Sequence, residues 1–228
     1  MTKKNRKIRS SKSGLKRGFT LIELMVSMVI FVIFMGFVTS SYVSIVRAQK
    51  DTNDIRKMYA EVRSFIDMVS QEAKLGTIDY ACYAGTDSSC KEVLSSIDPG
   101  TGRSTDLALV RKDGLQRTIF RFVRDPQNAD NNKVRVAKYE KDVSGTWGYA
   151  PGYSGFRDIM GDLVKVERLS FAIYPDADPY SRANYANSLK QFQPKVTIFL
   201  TANNRANVKS GFSMDFQTTV SSRVYSRL

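Results

Sequence analysis

Few residues of this sequence could do chemistry, and the most unusual of them is a single carboxylate, Glu23. It stands at the start of an apolar run, because the 23 residues from Leu24 to Val46 carry no charge. A charged side chain in the middle of a bilayer costs about 2.5–3.5 kcal/mol. An interaction must therefore stabilise the charge of Glu23. It is either a partner of opposite charge or a place at the membrane interface, where the dipole of a helix N-terminus favours a carboxylate.

The other candidate groups are two cysteines, and the sequence contains no histidine. The missing histidine removes the usual general base and the usual partner of a nucleophilic cysteine. Cys82 and Cys90 enclose seven residues in a stretch rich in Gly, Ser and Thr, a spacing that favours a disulfide over two free thiols in an oxidising compartment. No third ligand of a suitable type lies near the two cysteines, so the sequence predicts no metal site. Because it also lacks histidine and a nucleophile motif, it predicts no cofactor and no enzyme.

The positive charge of the chain is concentrated ahead of the apolar run. Residues 1–18 carry eight of the 35 basic residues and no acid, and the remainder has 27 basic against 22 acidic residues. This imbalance favours a membrane anchor whose N-terminus lies inside the cell, rather than a nucleic-acid binder. About 20 residues from Phe19 span the hydrocarbon core as a helix, which predicts a single-pass membrane protein with its C-terminal part outside the cytoplasm.

The predicted helix continues beyond the membrane. Apolar residues recur at spacings of three and four, and opposite charges stand four residues apart in four pairs. Gly76 is the predicted stop after Leu75, so one helix is expected over residues 19–75. The apolar positions are Ile45, Val46, Ile55, Met58, Tyr59, Val62, Phe65, Ile66 and Val69, and the charge pairs are Arg47/Asp51, Lys50/Asp54, Lys57/Glu61 and Arg63/Asp67.

The rest of the chain is typical of an antiparallel sheet. Residues 76–105 read as a loop, and from Asp106 apolar residues alternate with polar ones over about six segments. One face of such a sheet is apolar and the other solvated, and the helix can cover the apolar face. The sequence thus predicts an α+β fold, a long N-terminal helix packed on an antiparallel sheet. The segments are marked by Leu107/Leu109, Thr118–Phe122, Val134/Val136, Leu169/Phe171/Ile173, Val196/Ile198/Leu200 and Phe212/Met214/Phe216.

The run Gly18-Phe19-Thr20-Leu21-Ile22-Glu23 after a short basic leader resembles the signal of type IV prepilins and type II secretion pseudopilins. This resemblance implies cleavage between Gly18 and Phe19 by prepilin peptidase and N-methylation of Phe19. It also implies assembly with other pilin or pseudopilin subunits, on an inner-membrane platform, into a filament. Glu23 would then pair with a neighbouring subunit's terminal ammonium and set the register between subunits.

The resemblance also gives a domain organisation: a removed leader over 1–18, a membrane and filament-core helix over 19–46, an amphipathic continuation over 47–75 and an extracytoplasmic pilin-like domain over 76–228. Two stretches, 166–171 and 194–198, are similar to J-type minor pseudopilins and related minor pilins, and the tail 216–223 is similar to their closing strand. The first helix carries no proline, unlike that of many major pilins. Gly36 is therefore the position at which local melting of the helix on assembly is expected, if it occurs.

Three other groups of residues have a functional and a structural interpretation. The oxygen-rich loop Asp125–Asn132, like Asp176 and Asp178, is favoured as a solvated turn over a calcium site. A cluster of basic residues is favoured as the wet face of a sheet over a DNA-binding patch. The aromatic residues of the Gly145–Gly161 loop are favoured to pack on their own sheet, although they could dock another subunit. The basic cluster is Arg111, Lys112, Arg117, Arg121, Arg124, Lys133, Arg135 and Lys138, and the aromatic residues are Trp147, Tyr149, Tyr153 and Phe156.

The sequence therefore favours a minor pilin or pseudopilin that is a substrate of enzymes and not an enzyme. A major pilin, a DNA-uptake pilus subunit with a basic sheet face, and a signal-anchored extracytoplasmic binding protein that is never cleaved stay open as alternatives.

Overall fold

The fold begins with one long helix. The structure is a computed structural model that describes residues 18–85, 90, 94–179, 193–205 and 213–222. Helix α1 spans Leu21–Leu75, 55 residues without a proline, so its end at Leu75 is as predicted. By its internal contacts the chain divides into two units, Met1–Lys50 and Asp51–Leu228. The predicted leader lies outside the described residues, except for Gly18.

The second half of α1 buries a narrow apolar stripe. Met58, Val62, Phe65 and Val69 are at most 2% exposed, and their spacing of four, three and four residues places them on one helix face. Tyr59, which the sequence assigns to the same stripe, is 45% exposed. The stripe is thus confirmed at its centre and is narrower than predicted, and Ile45 and Val46 are exposed.

The predicted charge pairs along α1 are mostly wrong. Of the four predicted pairs, all of them among the described residues, only Arg63 and Asp67 form an ion pair, at 3.9 Å and on the exposed side of the helix. Such a pair contributes a few tenths of a kcal/mol at most. Glu61, expected to pair with Lys57, instead accepts a hydrogen bond from the backbone N–H of Gly161 at 3.0 Å. A contact made 100 residues away replaces the local one.

Two antiparallel sheets follow α1, where the sequence predicts one. The larger has the strand order β1-β3-β4-β5-β6, with β7 also paired to β5, and the smaller has the order β10-β9-β8-β2. All six predicted strands are present, as β3, β4, β5, β8, β9 and β10. The strands are β1 Gly76–Ile78, β2 Arg103–Ser104, β3 Asp106–Arg111, β4 Gln116–Val123, β5 Lys133–Lys141, β6 Trp147–Tyr149, β7 Arg157–Asp158, β8 Val164–Tyr174, β9 Lys195–Asn204 and β10 Ser213–Ser221.

The predicted loop 76–105 is partly ordered. It contains β1, β2 and the short helix α2, Tyr80–Tyr83. Gly76 ends α1 by a different route from the predicted helix cap, because a Cβ at this position would lie 2.5 Å from the carbonyl oxygen of Val110 on β3. Glycine is required where the chain turns from the helix directly into the sheet. Phe212, predicted to lie in the last strand, is outside the described residues.

One core joins the helix stripe to the inner faces of both sheets. Phe65 of α1 meets Phe120 of β4 edge to face, with ring centroids 6.2 Å apart, and Phe171 and Ile198 of the smaller sheet belong to the same buried cluster. The second face of the larger sheet is also covered, by a separate cluster of Ala108, Ile119, Ala137, Tyr139 and Trp147. The predicted solvated face is therefore wrong for the larger sheet.

Candidate functional site

The first turn of α1 is closed by a reciprocal pair of side chains. The backbone N–H and the hydroxyl of Thr20 both donate to Oε2 of Glu23, at 3.2 Å, and the N–H of Glu23 donates to the Thr20 hydroxyl oxygen at 3.3 Å. The N–H of Leu24 donates to the Thr20 carbonyl. Thr20 is thus the N-cap and Glu23 the third helical residue of a capping box.

The capping box gives Glu23 a local role that the sequence interpretation missed. Its signal was present, because Thr followed three residues later by Glu before an apolar run is the pattern of this motif. A cap of this kind contributes about 1 kcal/mol to a helix. One carboxylate oxygen remains: among the described residues, Oε1 of Glu23 accepts no hydrogen bond.

The peptide bond between Gly18 and Phe19 lies just before the helix. Gly18 and Phe19 are exposed, Phe19 to 82%, and neither is helical. A side chain added at Gly18 would meet no atom of the described residues within 4 Å, so no packing contact among them requires glycine there.

The first half of α1 presents apolar side chains to its surroundings on all sides. Every residue from Gly18 to Lys50 is exposed, and within the described residues α1 is the one helix long and apolar enough to cross a membrane. An apolar surface of this extent does not face water in a stable protein. It belongs in a bilayer or against other helices.

A family model described as the prokaryotic N-terminal methylation motif matches residues 15–39. The match covers Gly18 and Phe19, which are the predicted cleavage pair, together with the capping box and the start of the apolar run. The chain carries a prepilin-type signal of the type IV pilin and pseudopilin kind. Neither a curated protein nor a solved structure matches the chain.

The prepilin-type signal points to a structural subunit that prepilin peptidase processes and that assembles with other pilin subunits. The apolar helix that follows the signal is consistent with a single-pass anchor in the inner membrane. The α+β architecture of a long N-terminal helix on antiparallel sheets is also consistent with a pilin-like subunit.

The two cysteines form a disulfide, with Cα atoms 5.5 Å apart. It joins α2 to Cys90 and lies beside two other attachments of α2. Asp79 caps α2, accepting from the N–H of Cys82, and the Tyr83 hydroxyl donates to the Asp106 carbonyl at 2.7 Å. Burial raises the pKa of Tyr83, so this hydroxyl keeps its proton and its hydrogen bond.

The oxygen-rich loop uses its own acceptors. Oδ1 of Asp125 accepts from the backbone N–H groups of Gln127 and Asn128, and Oδ2 accepts from the Asn131 side chain. These bonds, that from Asn131 first, lower the pKa of Asp125. The hydrogen bonds favour the turn interpretation, and no group of three potential metal ligands occurs among the described residues.

The basic cluster is not an open cationic patch. Six of its eight members lie within ion-pair distance of a carboxylate. They also divide between the two faces of the larger sheet: Arg111 and Lys138 reach the buried Glu72 of α1, at 3.8 and 2.5 Å, whereas Arg117 and Arg121 lie on the other face. The prediction that the basic cluster forms one solvent-exposed face of a sheet is therefore wrong. The arrangement of paired charges on two faces does not favour a DNA-binding surface either.

The stretch predicted as the loop Gly145–Gly161 contains strands β6 and β7 of the larger sheet, and its aromatic side chains pack on that sheet. Trp147 is 5% exposed and lies under the Arg117 guanidinium, 4.4 Å from its ring centroid. The Arg121 guanidinium lies over the Phe156 ring, 4.6 Å from the ring centroid. Tyr149 stacks on Tyr139 at 4.9 Å and remains 44% exposed. The favoured interpretation holds for the loop as a whole, with Tyr149 as its most open aromatic residue.

Arg117 and Asp79 form a buried pair whose disruption has a predictable cost. Their side chains are 4% and 7% exposed and their closest atoms lie 2.6 Å apart. Arg117→Met is expected to lower the free energy of unfolding by about 3–5 kcal/mol, because the Asp79 carboxylate stays buried without its partner. The measurement is denaturant or thermal unfolding of the full chain in detergent.

The exposed pair Arg63–Asp67 supplies the matched control for that prediction. Arg63→Met removes the same charge from a pair at 3.9 Å that is 70% and 65% exposed, and is expected to change stability by less than about 0.5 kcal/mol. Equal effects of Arg117→Met and Arg63→Met would contradict the assignment of a stabilising role to the buried pair.

Proposed function

We propose that this chain is a minor pilin or pseudopilin subunit, cleaved between Gly18 and Phe19, N-methylated at Phe19 and assembled through α1 into a type IV pilus or type II secretion pseudopilus. The observation that carries the proposal is the prepilin-type signal at residues 15–39. The exposed, non-helical cleavage pair and the apolar helix behind it support the proposal, since processing and assembly need both.

The proposed organisation follows from the same features. Residues 1–18 are the removed leader, 19–46 the membrane and filament-core helix, 47–75 the amphipathic continuation and 76–228 the extracytoplasmic domain. The basic leader favours an N-terminus inside the cell. Two sheets, one of them covered on both faces, make an elaborate domain, which favours a minor subunit over a major one. The J-type assignment is part of this proposal and rests on the two short stretches named above.

Glu23 is proposed as the contact that registers one subunit against the next. Cleavage creates an ammonium on Phe19, and an apolar filament core penalises a charge that has no partner. The capping box occupies Oε2 of Glu23 and leaves Oε1 to accept from a neighbouring subunit's ammonium. Capping would thereby orient the carboxylate before assembly.

The proposal is tested by the mass of the N-terminal peptide of protein purified from the cells that make it. The expected mature chain begins at N-methylated Phe19. A chain that keeps its leader would instead indicate an uncleaved signal-anchored protein and would sink the proposal. A cleaved chain that copurifies with sibling pilins in substoichiometric amount supports a minor subunit, whereas one that forms the bulk of the filament indicates a major pilin.

A further inference from the structure

The outer face of the smaller sheet carries an open groove that crosses all four of its strands. The groove has a volume of about 360 Å³, and at the usual strand separation three intervals span about 14 Å. Besides the carboxylate of Asp215, the side chains along it include six that are basic, polar or aromatic. They are Arg103, Arg168, Ser170, Phe199, Thr201 and Gln217.

The strand register sets these side chains in rows across the sheet. Arg168 on β8 lies opposite Thr201 on β9, and Ser170 lies opposite Phe199. On the other side of β9, Gln217 of β10 lies opposite Phe199. Since residues paired in register share a face, an arginine, two hydroxyls, an aromatic ring and an amide form one continuous surface.

Two arginines in the groove have no acidic partner among the residues that the structure describes. Arg103 places its guanidinium over the Phe199 ring, 4.6 Å from the centroid, and Arg168 is exposed. Among the described residues neither lies within 4 Å of a carboxylate. The contrast with the basic cluster of the larger sheet is sharp, because six of that cluster's eight members are paired.

The geometry of Arg103 suits a carboxylate. Its guanidinium carbon lies over the Phe199 ring, a cation–π contact that holds the side chain in the groove. A guanidinium can bind both oxygens of a carboxylate through two of its N–H groups. The carboxylate in the groove, Asp215, lies on β10, at the sheet edge opposite Arg103 on β2, and accepts a hydrogen bond from the hydroxyl of Thr201 at 2.7 Å.

We infer that this groove binds an acidic polysaccharide, a chain of sugars that carries carboxylates. Two unpaired guanidinium groups match the carboxylates, and Ser170 and Gln217 can exchange hydrogen bonds with sugar hydroxyls. A protein partner is less well matched, since the hot spots of protein interfaces are fully desolvated pockets, whereas Arg103 and Arg168 are exposed and the Phe199 ring is already covered by Arg103.

The inference is tested by calorimetry with the full chain in a non-ionic detergent that has no sugar headgroup, so that detergent does not compete. The probes are polygalacturonate, neutral dextran and poly-L-glutamate, in about 0.15 M salt, which screens nonspecific attraction. Wild type is expected to bind polygalacturonate, to ignore dextran and to bind polyglutamate more weakly at equal charge.

The variant that tests the site is Arg103→Gln/Arg168→Gln, expected to weaken polygalacturonate binding at least about tenfold because charge-assisted hydrogen bonds are lost. Its matched control, Arg56→Gln/Lys57→Gln, removes the same charge from exposed positions on α1 and is expected to leave binding within about twofold. Gln217→Ala is expected to weaken polygalacturonate binding severalfold and to leave polyglutamate binding unchanged. Circular dichroism checks that each variant is folded.

Three results would overturn the inference. The first is the absence of polygalacturonate binding by wild type. The second is an equal loss in the groove variant and in the control, which would mean nonspecific attraction to a basic chain. The third is polyglutamate binding as tight as polygalacturonate binding and equally sensitive to Arg103→Gln/Arg168→Gln, which would assign the groove to an acidic protein segment.

Discussion

Precursor protein with Gly18→Val is expected to accumulate in the membrane with its leader attached, with processing reduced by at least about a hundredfold. Such a loss corresponds to roughly 2.7 kcal/mol of transition-state stabilisation, which a clash between an added branched side chain and a peptidase site formed around glycine readily supplies. The packing of the described residues is not the cause, because a Cβ at Gly18 would meet none of their atoms within 4 Å. The measurement is the ratio of precursor to mature protein on an immunoblot after a pulse of synthesis.

Gly36→Ala is the matched control for this prediction. Gly36 lies inside α1 and, like Gly18, has open space around its Cβ position. The change adds a side chain to the same helix, favours helix formation by about 1 kcal/mol and is expected to leave processing unchanged. Normal cleavage of the Gly18→Val chain would refute the assignment of the cleavage site.

The parts of the fold that the sequence predicts are those that local periodicity encodes. The apolar spacing around Met58, Val62 and Phe65 places the buried side of α1 correctly, and alternation places the six main strands. Alternation tells which side chains share a face, but not which strands pair, since pairing depends on contacts distant in sequence. The sequence therefore predicts one sheet where the structure has two.

The second face of the larger sheet was mispredicted for a related reason. Arg117 and Arg121 alternate with apolar residues, as charges on a solvated face do. Arg117 is buried because Asp79, 38 residues earlier, neutralises it and because Trp147, 30 residues later, covers it. Neither neighbour can be assigned from the strand itself, since partners so distant in the chain leave no periodic signal.

The candidate site was more predictable than the domain because its determinants are contiguous. Gly18, Phe19 and Glu23 fall within six residues, so their relation is visible in the sequence. The capping role of Glu23 is also local, since its partner Thr20 stands three residues earlier. The two predicted roles, however, pairing with an ammonium and favouring the helix dipole, both concern its charge and do not involve Thr20. The two roles of Glu23, capping and pairing between subunits, can be separated by mutation.

Glu23→Gln is expected to be inserted and cleaved normally but to enter filaments at a small fraction of the wild-type level. Glutamine at this position can still complete the capping box with Thr20, so the start of α1 is kept while the negative charge is lost. The neighbouring subunit's ammonium would then lie in an apolar core without a counter-charge, at a cost of several kcal/mol. Recovery of the variant in sheared filaments, relative to its membrane pool, measures the effect.

Thr20→Ala tests the capping role apart from the charge, because it removes the cap and keeps the Glu23 carboxylate. A lost cap costs about 1 kcal/mol, in a helix that the membrane and the filament also stabilise, so incorporation is expected to fall only severalfold.

Glu23→Val loses both roles and is expected to insert at least as well as wild type, since it removes a charge from the membrane-embedded segment, but to assemble as poorly as Glu23→Gln. If Thr20→Ala assembled as poorly as Glu23→Gln, the cap would be needed as well as the charge. If Glu23→Gln assembled at the wild-type level while Thr20→Ala and Glu23→Val did not, capping alone would explain the need for Glu23. If all three variants entered filaments at the wild-type level, neither role of Glu23 would be needed for assembly.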